Sequence, residues 1–132
     1  MNQIAGTIAQ LTVQGNLSLV RIAVQEMTLT AIVIDTPISA PHLQVGSPIQ
    51  VIFKETEVII GKGIDHRISL QNQLPGTLQA LESGKLLSRV IVKTALGPIV
   101  SVITAQAVQQ LQLQVGDTVT AMIKTNEVML AP

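Results

Sequence analysis

The chain has 132 residues, of which 47% are hydrophobic and 12% charged, and eight basic residues balance eight acidic ones at pH 7. A neutral chain with scattered lysines and arginines lacks the clustered basic face of a nucleic-acid binder, and Phe53, its one aromatic residue, builds no base-stacking platform. No apolar stretch approaches the ~18 residues of a membrane span, and without cysteine there is no disulfide framework or thiolate metal site. We therefore expect a cytoplasmic protein that binds neither nucleic acid nor a membrane.

The first half of the chain is predicted to form five short strands, because side chains alternate with period two or β-branched residues cluster between turn signals. The predicted strands are residues 3–11, 17–24, 28–34, 49–53 and 58–60. A polar corner of three residues, here called the first corner (54–56), separates the last two strands. Between the third and fourth strands, Pro37 and Pro41 predict a shortened or distorted helix.

The second half of the chain repeats the first at a spacing of 70 residues without a gap. Identical residues recur along the whole repeat, among them the pairs Asn2 and Asn72, Gly6 and Gly76, Gly46 and Gly116, Lys54 and Lys124, and Glu57 and Glu127. Such a match indicates internal duplication. A module of roughly 65 residues is marginally stable alone, so we expect the copies to pack on each other and on further subunits. The predicted organisation is a first module (1–62), a linker (63–68) and a second module (69–132).

The second module has the same predicted order of elements and a clearer helix. Its strands are predicted at residues 73–81, 87–92, 99–103, 119–123 and 128–130. Residues 105–111 place helix formers and apolar side chains at helical spacing, with Thr104 as the cap, and the second corner (124–126) precedes the last strand. Five short strands with a helix between the third and fourth are the order of a small barrel. The predicted fold is all-β: two tandem OB-like five-stranded β-barrel modules, each with a short helix.

No set of residues suited to catalysis recurs in both modules. His42 has Gln112 at the equivalent position and His66 lies in the linker, so neither is expected to act as a base or a metal ligand. Glu57 and Glu127 do recur, but they are predicted to begin a strand or cap a turn, since no oxygen or nitrogen partners cluster near them. The sequence therefore predicts neither an enzyme nor a cation site.

What recurs is a set of hydrogen-bond donors. Asn2 and Asn72 open the modules, and Lys54 and Lys124 begin the two corners beside hydroxyl side chains and turn N–H groups. A lysine ammonium carries three donors and one positive charge, so a concave turn of this kind suits an anion. From spacing alone, two solvated lysines at strand ends are the alternative interpretation.

The segments that open and close the modules resemble the Mop family of TOBE-like, molybdate-binding modules. Residues 69–76 (Ser-Leu-Gln-Asn-Gln-Leu-Pro-Gly) are similar to the family's Ser-Ala-Arg-Asn-Gln opening, and residues 123–128 are similar to its Ile-Lys-Ala-Ser-Asp-Val closure. The stretch 104–108 is similar to the family's Thr-x-Glu-Ser-Val helix start. Because both halves match, the whole chain resembles a tandem di-Mop protein, a molbindin.

The resemblance implies a binder of molybdate or tungstate, with the oxyanion as a ligand at interfaces between modules and no covalent cofactor. It also implies a ring-like homo-trimer of two-module chains. Backbone N–H groups, hydroxyls and a lysine would hold the oxyanion. Carried over position by position, the implied binding residues are Ser69, Gln71, Asn72, Thr104, Lys124 and Thr125 in the second module, and Asn2 and Lys54 in the first.

The sequence departs from the family pattern at three places. Gln71 stands where the family has Arg, Ile34 stands where its helix start has Thr, and the opening Ser and Arg are absent before Asn2. Loss of the arginine removes a fixed charged fork, which glutamine replaces in hydrogen bonding but not in charge. One class of site is therefore expected to be weakened or lost, or to select another oxyanion.

The function expected from the residues and the resemblance is binding, storage and homeostasis of molybdate or tungstate in the cytoplasm. The alternative is an oxyanion-sensing effector module of a molybdate-responsive transcription regulator or of a transporter. The 132 residues hold no helix-turn-helix pattern and no P-loop, so neither output would reside in this chain.

Overall fold

The computed structural model describes every residue from Met1 to Pro132, and most of them lie in strands. The first repeat contains β1 (Asn2–Gln14), β2 (Leu17–Val24), β3 (Met27–Val33), β4 (Pro48–Phe53) and β5 (Ile59–Lys62). The second contains β6 (Asn72–Ser83), β7 (Leu87–Thr94), β8 (Gly97–Thr104), helix α1 (Ala105–Leu111), β9 (Thr118–Ile123) and β10 (Met129–Ala131). Short 3-10 turns follow the two corner lysines, at Glu55–Glu57 and Thr125–Glu127. The predicted all-β fold with five strands per repeat is confirmed.

The two repeats agree down to the hydrogen bonds of the loop that precedes the fourth strand. The pairing of β1 with β2 shifts register after Ile8, and the pairing of β6 with β7 shifts after Leu78. At these bulges the N–H of Gly46 donates to the carbonyl of Ile8, and the N–H of Gly116 to that of Leu78, both at 2.8 Å. The two glycines have φ angles of 92° and 98°, which residues with a side chain rarely adopt, so glycine recurs at this position.

The last strand of each repeat pairs with the other repeat. One sheet has the order β10-β4-β1-β2-β3, and the other has the order β5-β9-β6-β7-β8. β10 lies antiparallel to β4, with Leu130 opposite Val51, and β5 lies antiparallel to β9, with Ile60 opposite Ala121. Neither sheet is therefore complete without a strand from the other repeat.

The sequence predicted both final strands but not their exchange. β4 and β9 are equivalent strands of a duplicated sequence, and both bury apolar side chains, so either can accept either final strand. Side-chain alternation defines which face of a strand is buried but not which of two similar neighbours it joins. The division into a first module (1–62), a linker (63–68) and a second module (69–132) remains a prediction.

A single hydrophobic core runs through both repeats. It contains 25 buried residues, including Val20, Phe53, Val90 and Ile123, whose surfaces are at most 1% exposed. Full burial of such a side chain stabilises a fold by roughly 1.5–3 kcal/mol relative to exposure. The two repeats therefore stabilise each other through shared apolar contacts. Other large apolar side chains remain exposed, among them Val13, Leu17, Ile34, Ile38, Val45, Ile64, Ile68, Leu86, Leu87 and Val115.

Helix α1 begins and ends as its sequence predicts. Oγ1 of Thr104 accepts a hydrogen bond from the first turn at 3.0 Å, and Gln112 ends the helix with a φ of 51°. Nζ of Lys62, from β5, donates to the carbonyls of Leu111 and Gln112 at 3.1 and 3.0 Å, so the other repeat satisfies the last carbonyls of the helix. The first repeat has only turns at this place, because its two prolines interrupt a helix.

None of the helices has the length and apolar character that a membrane-spanning helix requires.

The linker is folded against the second sheet. Nε2 of Gln73 donates to the carbonyls of His66 and Leu70 at 3.0 and 2.9 Å. Oγ1 of Thr120 donates to the carbonyl of Gly63 at 2.7 Å. These bonds hold residues 63–70 as a compact turn directly before β6.

Candidate functional site

The two asparagines that open the repeats bind the backbone of the opposite repeat. Nδ2 of Asn72 donates to the carbonyl of Thr30 at 2.8 Å, and its Oδ1 accepts from the N–H of Thr30 at 2.7 Å. Asn2 forms the equivalent two bonds with Val100, both at 2.8 Å. Each amide thus occupies the place of a further strand along the edge of β3 or β8. Asn72 and Asn2 are only 2% and 6% exposed, and one N–H of each amide is left for another partner.

Sequence reasoning placed these asparagines in the ligand site and missed their contact with the opposite repeat. The repeated asparagine is a possible signal, because an amide that both donates and accepts hydrogen bonds recurs at the start of the first strand in both copies. The partners carry no matching signal. Thr30 and Val100 are bound through their backbone, so their side chains do not reveal the contact.

The second corner brings together several predicted ligand residues at one end of a sheet. The pairing of β6 with β9 starts at Asn72 and ends before Lys124, so Gln71 lies beside Lys124, and Thr125 follows in the 3-10 turn. A backbone hydrogen bond of 3.0 Å to the carbonyl of Lys124 closes this turn. The side chain of Lys124 is exposed and forms no ion pair. Gln71, Asn72, Lys124 and Thr125 are therefore neighbours along the backbone at one end of β6 and β9.

Two predicted ligand residues of the second module lie elsewhere. Ser69 is exposed in the linker turn, two residues before Gln71. Thr104 is the last residue of β8, four residues and about 13 Å along the strand from Val100. No hydrogen bond or strand pairing joins Ser69 or Thr104 to Lys124. A single chain therefore does not complete the predicted set at the second corner.

The first corner has the same backbone geometry and different chemistry. The pairing of β1 with β4 starts at Asn2, so Met1 lies beside Lys54, and Glu55 follows at the position equivalent to Thr125. The ammonium of Met1 lies 3.6 Å from Oε2 of Glu55, whose side chain is 30% exposed. The first corner therefore presents a lysine next to a carboxylate, and the second presents a lysine next to a hydroxyl.

Neither corner lies in the largest cleft of the chain. That cleft, of about 500 Å³, lies beside β1 and β2, and its lining includes Gln3, Thr7, Gln25 and Leu96. The corners instead offer ammonium, hydroxyl and amide donors on an open surface, which is the chemistry that binds an oxyanion. No three His, Cys, Asp or Glu side chains lie close enough together to hold a metal ion.

Comparison with known proteins gives relatives that match one repeat or both. Molybdenum-pterin-binding protein 1 of Clostridium pasteurianum is 36% identical over 64 residues, which are 48% of this chain and 94% of that protein. A crystal structure of the cytoplasmic molybdate-binding protein ModG, with molybdate bound, superposes with a TM-score of 0.89 at 28% identity, covering 98% of this chain and 94% of ModG. A molybdate-binding protein from Sporomusa ovata is 30% identical, covers 45% of this chain and 88% of its own, and has a TM-score of 0.43.

The TOBE domain model matches the chain twice, once in each repeat. The matched segments are residues 1–60 and 68–130, which together span nearly the whole chain. The two matches agree with the duplication read from the residues and with the paired sheets of the structure. The resemblance to TOBE-like modules is thus confirmed, and the chain belongs to the TOBE domain family.

Proposed function

We propose that this protein binds molybdate or tungstate and serves the storage and homeostasis of the oxyanion. The observation that carries the proposal is the superposition on ModG, crystallised with molybdate, over 98% of this chain with a TM-score of 0.89. Both ModG and the Clostridium pasteurianum relative are described as binding proteins, so we propose binding without bond making or breaking. Because ModG is described as cytoplasmic, we also place the function in the cytoplasm.

The second corner is the part of the chain that we propose holds the oxyanion. Lys124 supplies the positive charge, and the Thr125 hydroxyl and the Gln71 amide supply further donors beside it. Asn72 contributes the one N–H that its contact with Thr30 leaves free. A tetrahedral dianion accepts from many donors at once, whereas a protonated rival must find an acceptor for its own proton. Sulfate is smaller, so its oxygens would not reach every donor.

We further propose that the binding form is a homo-oligomer, in the simplest case a trimer. The second corner is open on a single chain, and Thr104 lies away from it on β8. A second copy can supply Thr104 and Ser69 across an interface and close the site. Exposed apolar side chains such as Ile34, Ile38 and Leu86, at 75%, 94% and 77% exposure, support such an interface. Neither ModG nor the Clostridium pasteurianum relative is described as a regulator or a transporter.

Isothermal titration with four oxyanions tests the proposed function. Purified protein is titrated with molybdate, tungstate, sulfate and phosphate under the same buffer and salt conditions. We expect saturable binding of molybdate and tungstate, and binding of sulfate and phosphate weaker by at least about 100-fold, or roughly 2.7 kcal/mol. Absence of binding to both molybdate and tungstate, or equal binding of sulfate, would contradict the proposal.

A further inference from the structure

We infer that the two corners are unequal oxyanion sites, and that Glu55 weakens the first corner while Thr125 leaves the second active. The inference rests on the proposed function and specifies which of two equivalent positions performs it. Both corners share their lysine, and the residue directly after it is a carboxylate in one and a hydroxyl in the other.

The backbone dihedral angles of the two corner lysines agree closely. Lys54 has φ −74° and ψ 146°, and Lys124 has φ −68° and ψ 143°. In each corner the carbonyl of the lysine accepts a hydrogen bond of 3.0 Å from the N–H three residues later, which belongs to Glu57 or Glu127. Because the lysine and this glutamate recur, neither of them distinguishes the two sites. The corners therefore differ in the two residues after the lysine, Glu55 and Thr56 against Thr125 and Asn126, and only the first of these two positions differs in charge.

The residue after the lysine differs in both charge and hydrogen-bonding capacity. The Thr125 hydroxyl donates one hydrogen bond, whereas an ionised Glu55 carboxylate only accepts. A carboxylate also repels a dianion bound to the neighbouring lysine. The ammonium of Met1, 3.6 Å from Oε2 of Glu55, compensates part of this charge but does not restore a donor at that position. At this position the first corner thus has an acceptor where the second has a donor.

The position before the asparagine differs as well. Gln71 adds an amide beside Lys124, whereas its equivalent Met1 has a side chain without a hydrogen-bond donor and an ammonium that is paired with Glu55. The second corner therefore has donors on both sides of its lysine. Molybdate and tungstate are expected to occupy the second corner first and the first corner only weakly.

Reciprocal substitutions at the two corners test this inference. Glu55→Thr gives the first corner the hydroxyl that follows the lysine in the second, Glu55→Gln removes only the charge, and Thr125→Glu gives the second corner the carboxylate of the first. Glu26→Gln is the matched control for loss of a charge, since Glu26 is exposed in the β2–β3 turn and forms no ion pair. Gln79→Glu is the matched control for gain of a charge at an exposed bulge. Molybdate titration of each full chain gives the affinity and number of sites.

Wild-type protein should show one dominant class of sites. Glu55→Thr should add a second class or tighten the weak one by about tenfold or more, and Glu55→Gln should produce part of that gain. Thr125→Glu should weaken the dominant class by a similar factor, and both controls should titrate like wild type. If wild type binds but neither Glu55→Thr nor Thr125→Glu changes affinity or site number, the inference is wrong and the proposed function stands. If wild type binds no molybdate or tungstate, the proposed function is wrong and the inference with it.

Discussion

The side-chain amide of Asn72 pairs with the backbone of Thr30 in the opposite repeat, donating at 2.8 Å and accepting at 2.7 Å. Together with the exchange of β5 and β10, this contact joins the repeats both within the sheets and along their edges. Asn2 and Val100 form the equivalent pair. The same segment, directly before Asn72, carries Gln71 to the second corner, so the joint between repeats also positions the candidate ligand residues.

Replacement of Asn72 by alanine should destabilise the fold. The substitution removes two hydrogen bonds and leaves the buried N–H of Thr30 without its partner, which should lower the free energy of unfolding by about 2–3 kcal/mol. Urea denaturation followed by circular dichroism measures the loss. Asn16→Ala, in the exposed β1–β2 turn, is the control and should change stability by less than about 0.5 kcal/mol. Equal stability of Asn72→Ala and wild type would show that the contact does not join the repeats.

Replacement of Gly76 by alanine should be damaging, because Gly76 lies on β6, the central strand of its sheet. A Cβ at this position would clash with the carbonyl oxygen of Lys93, which belongs to the paired strand β7 and cannot move aside cheaply. We expect a loss of about 2–3 kcal/mol or more in the free energy of unfolding, or failure to fold. Thr77→Ala, at the next and exposed position, is the control. Chemical denaturation of both variants checks the prediction, which a stable Gly76→Ala protein would refute.

Replacement of Lys124 by alanine should weaken oxyanion binding without unfolding the chain. Lys124 is exposed and forms no ion pair, so its loss leaves the core intact. A charge-assisted hydrogen bond contributes about 1.5–3 kcal/mol, so molybdate affinity should fall roughly tenfold to 100-fold. Titration of the variant measures this fall beside Lys85→Ala, an exposed lysine of the β6–β7 turn. Unchanged binding would remove Lys124 from the site.

Deletion of residues 1–66 should leave a second repeat that aggregates or reassembles. β9 loses its neighbour β5, and β10 loses the strand β4 on which it pairs. The shared core is also opened, which exposes residues such as Val90 and Ile123. Size-exclusion chromatography with light scattering, run beside the full chain, measures the mass. A folded, monomeric fragment would contradict the mutual dependence of the repeats.

Local features of the fold could be predicted from particular residues. Alternation in residues 17–24 predicted β2, and Thr104 before an apolar helical pattern predicted the start of α1. The prolines in the first copy predicted a shortened or distorted helix, and the structure has only turns there, because proline disrupts a helix wherever it lies in the interior. These features depend on residues that are close together in the chain, so the sequence alone is enough to predict them.

Features that depend on a choice between equivalent partners could not be predicted. β5 and β10 each face two similar acceptors, β4 and β9, and their apolar pattern fits both. Asn72 binds the backbone of Thr30, and almost any residue at position 30 offers the same backbone groups, so the sequence does not reveal this partner. The contrast between Glu55 and Thr125 is visible in the aligned repeats, but its meaning requires the shared corner geometry that the structure provides.

Native mass spectrometry of the full chain, with and without molybdate, tests the central claim most directly. One spectrum gives both the number of chains in the particle and the number of oxyanions bound to it. We predict a homo-oligomer, in the simplest case a trimer, that gains discrete masses of molybdate and gains none from sulfate at the same concentration. A monomer without bound molybdate would contradict both the proposed ligand and the proposed assembly.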